Sequence, residues 1–141
     1  MKAQPGTTPI HVLLVEDNPG DVDLILDVLD VSPAPIVCTV ASDGVEALAT
    51  LRGSRRIHLV LLDLNLPRKD GRAVLAEIRE DPALTMIPVV VLTSSEAARD
   101  LTDVYRLHAN CYLTKPVDLD AFQRVVMAID NFWLRTVKLP A

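Results

Sequence analysis

Four short apolar runs in this chain each end on residues that can handle a metal ion or a phosphoryl group. Ile10–Val15 leads into Glu16 and Asp17, Leu59–Leu62 into Asp63, Ile87–Leu92 into Thr93, and Asn110–Leu113 into Thr114, Lys115 and Pro116. Laid side by side as parallel strands, they deliver three carboxylates, a hydroxyl and an ammonium to one edge of a sheet. Carboxylates that close repel: one like-charge pair at ~4 Å costs roughly 4 kcal/mol at an effective dielectric of 20. Such a cluster persists either partly protonated or around a cation. Oxygen-only ligands with a water-accessible side suit Mg²⁺, which keeps several waters and completes its shell with phosphate.

Asp63 differs from the other two acids. It follows an apolar run directly and precedes a Pro-containing loop, so its side chain is held at a strand end. A carboxylate beside Mg²⁺ can attack phosphorus and form an acyl phosphate. The backbone carbonyl of Asn65, two residues on, could add a metal ligand. Lys115 can pair with Asp63 at rest and with a phosphoryl oxygen afterwards. The Thr93 hydroxyl can donate to a phosphoryl oxygen. Ser94 or Ser95, followed by Glu96, offers capping chemistry for a helix beyond it.

The elements that must position these groups follow from periodicity. Ile10–Val15, Ile36–Val40, Ile57–Leu62, Ile87–Leu92 and Asn110–Leu113 read as strands. Between them, 21–31, 44–52, 72–81, 96–108 and 119 to about 137 carry apolar residues at helical spacing. Asn18 or Gly20, the Ser42–Gly44 turn and Asp118 mark helix starts. The order is strand–helix five times over. Strands that are continuous Val/Ile/Leu runs imply a parallel sheet covered on both faces. Right-handed crossovers then give a doubly wound, five-stranded α/β fold, with the functional edge at the C-terminal strand ends.

Composition excludes several classes. The 141 residues suit one domain, and 50% are hydrophobic, enough for a core. The net charge of −5, with basic residues scattered, argues against a nucleic-acid backbone as partner. No apolar run is long enough to cross a bilayer, and Met1–Pro9 lacks a signal-peptide core and reads as a loose tail. A cytoplasmic protein with Cys38 and Cys111 as buried free thiols is expected.

The motifs V-E-D at 15–17, L-D-L-N-L-P at 62–67, V-L-T-S at 91–94 and Y-L-T-K-P at 112–116 together resemble the receiver domain of two-component response regulators, over about 10–132. The resemblance implies a flavodoxin-like (βα)5 receiver fold, with 133–141 as an extension of the last helix and a tail. It implies Asp63 as phosphoacceptor, Glu16 and Asp17 as the acidic pair for Mg²⁺, Thr93 and Tyr112 as switch residues, and Lys115 as the phosphoryl-binding lysine. Glu16 stands where many members have Asp, a variant that can act through a metal-bound water. The Lys115–Pro116 bond is expected to be cis. E-D-N-P-G-D at 16–21, D-L-N-L-P-R-K-D-G at 63–71, A-N-C-Y-L-T-K-P at 109–116 and F-W-L at 132–134 further resemble small stand-alone regulators paired with phytochrome histidine kinases. A sensor histidine kinase of that type is the implied partner. With no output domain expected after the last helix, output would be a protein contact.

The last helix suggests where. At about 100° per residue, Leu119, Phe122, Val126, Ile129, Trp133 and Val137 form one apolar stripe, and Ala121, Val125, Ala128 and Phe132 a second roughly 110° away. One stripe covers the sheet. The second predicts a homodimer through Val125 and Phe132, which the tail from Trp133 to Pro140 would extend by packing across the partner. Two other functions use similar parts. An aspartate-nucleophile, Mg²⁺-dependent phosphohydrolase wants a second Asp two residues after the nucleophile, where Asn65 stands. A flavodoxin-like flavin carrier wants a phosphate-binding loop after the first strand, where the acids Glu16 and Asp17 would repel phosphate.

Overall fold

A computed structural model describes residues 8–94 and 97–140. The Val/Ile/Leu runs form β1 (Ile10–Val15), β2 (Ile36–Ala41), β3 (Leu59–Leu62), β4 (Val89–Thr93) and β5 (Cys111–Thr114). They pair in the order β2-β1-β3-β4-β5, every pair parallel. β3 and β4 are wholly buried, as unbroken apolar strands between two helical layers must be. Strand alternation sorts the core. Leu13, Val15, Val60, Leu62, Val89 and Val91 face α2 (Gly44–Leu51), α3 (Gly71–Glu80) and α4 (Ala98–Arg106). Val12, Leu14, Leu59, Leu61, Val90 and Leu92 face α1 (Pro19–Asp30) and α5 (Leu119–Ile129). The doubly wound fold read from the sequence is the one observed. Cys38 and Cys111 form no disulfide and are half-buried, on the two outermost strands.

Four helices begin on a side-chain cap. Asn18, Asp43, Asp70 and Asp118 each accept a hydrogen bond from a backbone N–H of the first turn of α1, α2, α3 and α5. α4 departs from expectation. Ala97 stands at its N-cap and offers no side-chain acceptor; Ser94, three residues before it, is exposed, and Ser95 and Glu96 lie outside the described residues.

The last helix differs more. The α-helix stops at Ile129, and Asp130–Leu134 makes a π-helical turn. Asp130 is buried, accepting from the Ser32 hydroxyl at 2.7 Å and pairing with Arg135 Nε at 3.3 Å. The wider turn moves the inward position on by one residue, so Leu134 enters the core where α-periodicity places Trp133. Leu119, in the first turn, is exposed rather than packed on the sheet. Val125, assigned to the outer stripe, packs against the core. Among the described residues no peptide bond is cis, so Lys115–Pro116 is trans, contrary to expectation. Trans is the lower-energy isomer by about 0.5–1 kcal/mol before proline, and the Lys115 N–H reaches the Thr93 carbonyl at 2.8 Å in this form.

The 64–70 loop after β3 is clamped. Leu64 is fully buried, and its carbonyl accepts from Leu66 N and Gly71 N. A Cβ on Gly71 would lie 2.3 Å from the Asp63 carbonyl oxygen, and one on Gly44 2.2 Å from that of Lys69. Helices α2 and α3 therefore start against the loop backbone at a distance only glycine allows. Arg68 sits in the left-handed region (φ 66°), with its guanidinium 3.3 Å from Asp43. Gly71→Ala should cost about 1–3 kcal/mol in urea unfolding, because backbone rather than a flexible side chain must yield. Gly20→Ala, whose Cβ would meet nothing nearer than 3.4 Å, should stay within about 0.5 kcal/mol of the parent. Equal unfolding midpoints for Gly71→Ala and the parent would refute the clamp.

Candidate functional site

The strand order reverses direction between β1 and β3, and the site lies at the C-terminal ends of these two neighbours. Val15 pairs with Leu62, so Glu16 and Asp63 each stand one step beyond a paired residue. Asp63 N–H donates to the Val15 carbonyl and Glu16 N–H to that of Ala41, both at 3.0 Å, which carries the ladder past the strand ends. Glu16 and Asp63 are buried, and Asp17 is exposed. One oxygen from each of the three lies within 4.8 Å of the others. These are hard oxygen donors with a solvent-facing member, a set that fits Mg²⁺.

Lys115 closes the site from β5. Its side chain is only 7% exposed. Its ammonium donates to Glu16, to Asp63 at 3.1 Å and to Asp21 at 3.0 Å. All three N–H donors of a lysine are thereby used. Asp21 is the site residue that sequence reasoning missed. Strand alternation accounts for the contact: Cys111 and Leu113 face the α1–α5 layer, so Lys115, two residues on, reaches the first turn of α1.

Burial dominates the electrostatics. It pushes the Glu16 carboxyl up to about 7, against the pull of the Lys115 hydrogen bond and with the Asp63 charge adding to the rise. Burial also opposes charge on Lys115, but the hydrogen bonds it donates to Glu16 and Asp21 and the charges of Glu16 and Asp63 outweigh it, and its ammonium is held well above the ordinary lysine range.

The other expected residues are placed as follows. Thr93 is fully buried at the end of β4, paired with Thr114. Asn65 is exposed, and its N–H donates to Asp63 Oδ1 at 3.3 Å. Tyr112 lies on β5, partly buried, and packs against the α2–α4 core. Pro116 is partly buried beside Lys115. Val125, Phe132 and Trp133 are remote from this edge. Phe132 is 50% exposed, and its ring meets that of Trp133 edge-on at 5.5 Å. Arg135 and the residues after it turn toward the opposite end of the sheet, where Val137, Leu139 and Pro140 line a cleft with Ile10 and His58.

Comparison with known proteins agrees with this geometry. The response regulator receiver domain model matches residues 12–127. The chain is 48% identical over 139 residues to response regulator Rcp1 of Synechocystis sp., covering 94% of this chain and 95% of that protein. The crystal structure of Rcp1 in its Mn²⁺-bound form superposes with a TM-score of 0.91 at 47% identity, over 94% of this chain and 100% of that one. The phosphorylated cyanobacterial phytochrome response regulator RcpA gives 0.92 at 46%, over 95% and 100%. The bacteriophytochrome response regulator AtBRR gives 0.71 at 36%, over 96% and 100%. The chain belongs to the response regulator receiver domain family.

Proposed function

We propose that this response regulator stores a phosphoryl group on Asp63, received from a sensor histidine kinase and held for a partner protein to read. The observation that carries the proposal is the shared ammonium: Glu16, Asp63 and Lys115 meet at the switch-point edge with Asp17 beside them. Glu16, Asp17, Asp63 and the Asn65 carbonyl would hold Mg²⁺, which supplies positive charge to the transferring phosphoryl oxygens. An Asp63 carboxylate oxygen forms the bond to phosphorus as the bond to the kinase imidazole breaks, and that imidazole nitrogen keeps the electron pair. Lys115 then exchanges its bond to Asp63 for a phosphoryl oxygen, and the Thr93 hydroxyl donates to another. Drawing Thr93 inward frees space for Tyr112, which packs on the α2–α4 face, and so alters that surface. The chain acts on no separate substrate. Asn65, where a phosphohydrolase of this type needs its general acid, is an amide. The phytochrome names of its relatives support a phytochrome-type kinase as the source of phosphate. Among the described residues no helix is long and apolar enough to span a membrane; the acidic charge speaks against a nucleic-acid partner, and two cysteines outside any disulfide suit a cytoplasmic protein.

A homodimer through the end of α5 belongs to the same proposal. With Val125 turned inward, the contact falls on Phe132, flanked by exposed Met127 and Ala128 and backed by Trp133.

Acetyl phosphate with Mg²⁺ should label the wild type, while Asp63→Asn, or omission of Mg²⁺, should abolish the label; equal labelling of both proteins would end the proposal. Protonated Glu16 cannot hold the metal, so apparent Mg²⁺ affinity, measured by calorimetry, should fall as pH drops from 8 to 6, by about tenfold. The same raised carboxyl makes the metal-free protein lose stability as pH rises from about 5 toward 7, since the folded state there holds a proton that the unfolded state has released. A pH-independent affinity would contradict this assignment of Glu16. In sedimentation, the wild type should run as a dimer and Phe132→Asp as a monomer; a dimeric Phe132→Asp would remove Phe132 from the interface.

A further inference from the structure

Lys115 has three carboxylate partners, and they are not equivalent. Glu16 and Asp63 belong to the cluster whose oxygens lie within 4.8 Å of one another, but Asp21 does not. Asp21 stands in the first turn of α1, with its N–H held by the Asn18 cap at 3.0 Å and its side chain a quarter exposed. It reaches the ammonium from the α1 side at 3.0 Å. A divalent cation entering the cluster takes up the charge of Glu16 and Asp63 and repels the ammonium. Two of Lys115's three anchors are then weakened together, and Asp21 is the anchor that stays whole.

We propose that Asp21 is a positioning residue for Lys115: it retains the ammonium at the rim of the carboxylate cluster while a divalent cation loads, so that metal and lysine occupy the site together. The inference rests on the phosphoacceptor reading above. Without Asp21, Lys115 leans entirely on Glu16 and Asp63, and an incoming cation must displace it from both. Asp21 therefore lowers the competition between lysine and metal by acting through Lys115.

The test is a double-mutant cycle read by calorimetric Mg²⁺ binding. In the wild-type background, Asp21→Asn should raise the Mg²⁺ dissociation constant by about three- to tenfold, and Asp21→Glu should restore it to within about twofold. Asp23→Asn, an exposed acid on the same helix, should change it by less than about twofold, because solvent screens a charge that does not touch Lys115. In a Lys115→Met background, Asp21→Asn should have no effect beyond about twofold, since the group through which Asp21 acts is gone. Acetyl phosphate labelling supplies a second readout: Asp21→Asn should shift the Mg²⁺ concentration for half-maximal rate upward and keep the maximal rate. An unchanged dissociation constant in Asp21→Asn, or the same fold-change with and without Lys115, would overturn the inference. A wild type that labels normally beside an unaffected Asp21→Asn would sink this inference alone. A wild type that neither binds Mg²⁺ nor labels would sink the phosphoacceptor reading with it.

Discussion

Three carboxylates from β1, β3 and α1 share one ammonium from β5, and the arrangement of the surrounding elements serves that contact. Lys115 reaches the site because β5 pairs with β4 up to Thr114, one residue before it, and its own N–H continues the ladder to Thr93. Glu16 and Asp63 reach it because their strands are paired to the last residue before each acid. Asp63 is fixed from below as well, since α3 begins so close to its carbonyl that Gly71 has no room for a side chain. The cluster is costly without a cation. The raised Glu16 carboxyl is one expression of that cost, and a site that destabilises its own empty state favours whatever charge can relieve it.

The same strand that carries Lys115 connects the site to the rest of the molecule. Successive residues of β5 face opposite layers. Tyr112 packs with the α2–α4 core, while Cys111 and Leu113 pack with α1 and α5. Lys115 and Thr93 therefore lie beside contacts to both layers of the sheet. On one side stands Tyr112. On the other stands α1, whose first turn holds Lys115 through Asp21 and whose far end leads to Ser32, bonded to Asp130 at the end of α5. Polar contacts thus bracket α1 at both ends, whereas its length is held by apolar packing through Ile25, Val28 and Leu29.

Local chemistry was legible in the sequence, and contacts between distant residues were not. Apolar runs ending on Glu16, Asp63, Thr93 and Lys115 were enough to give a parallel sheet and its functional edge, because buried parallel strands leave an unbroken hydrophobic signature. Asn18 and Asp118 announced their helices because capping is a bond between near neighbours. The π turn was hidden: Asp130, its first residue, is bonded to Ser32, 98 residues away. Asp21 read as one acid among several on the polar face of α1, since its partner is 94 residues away. Arg79 was equally hidden: it donates to the carbonyls of Thr85, Ile87 and His108 and to the Asn110 side chain, and so ties α3 to the start of β5. The trans Lys115–Pro116 bond ran against an expectation that came from resemblance alone.

The central claim is that one carboxylate, Asp63, takes the phosphoryl group while the acids around it only hold charge. Borohydride reduction of the protein after acetyl phosphate treatment, followed by peptide mass mapping, tests this directly, because an acyl phosphate is reduced to an alcohol and leaves a permanent mark on the residue that carried it. The mark is expected at Asp63, as homoserine, and at no other acid of the site. A mark at Glu16, Asp17 or Asp21, or an unmarked Asp63 in a protein that had taken up phosphate, would contradict it.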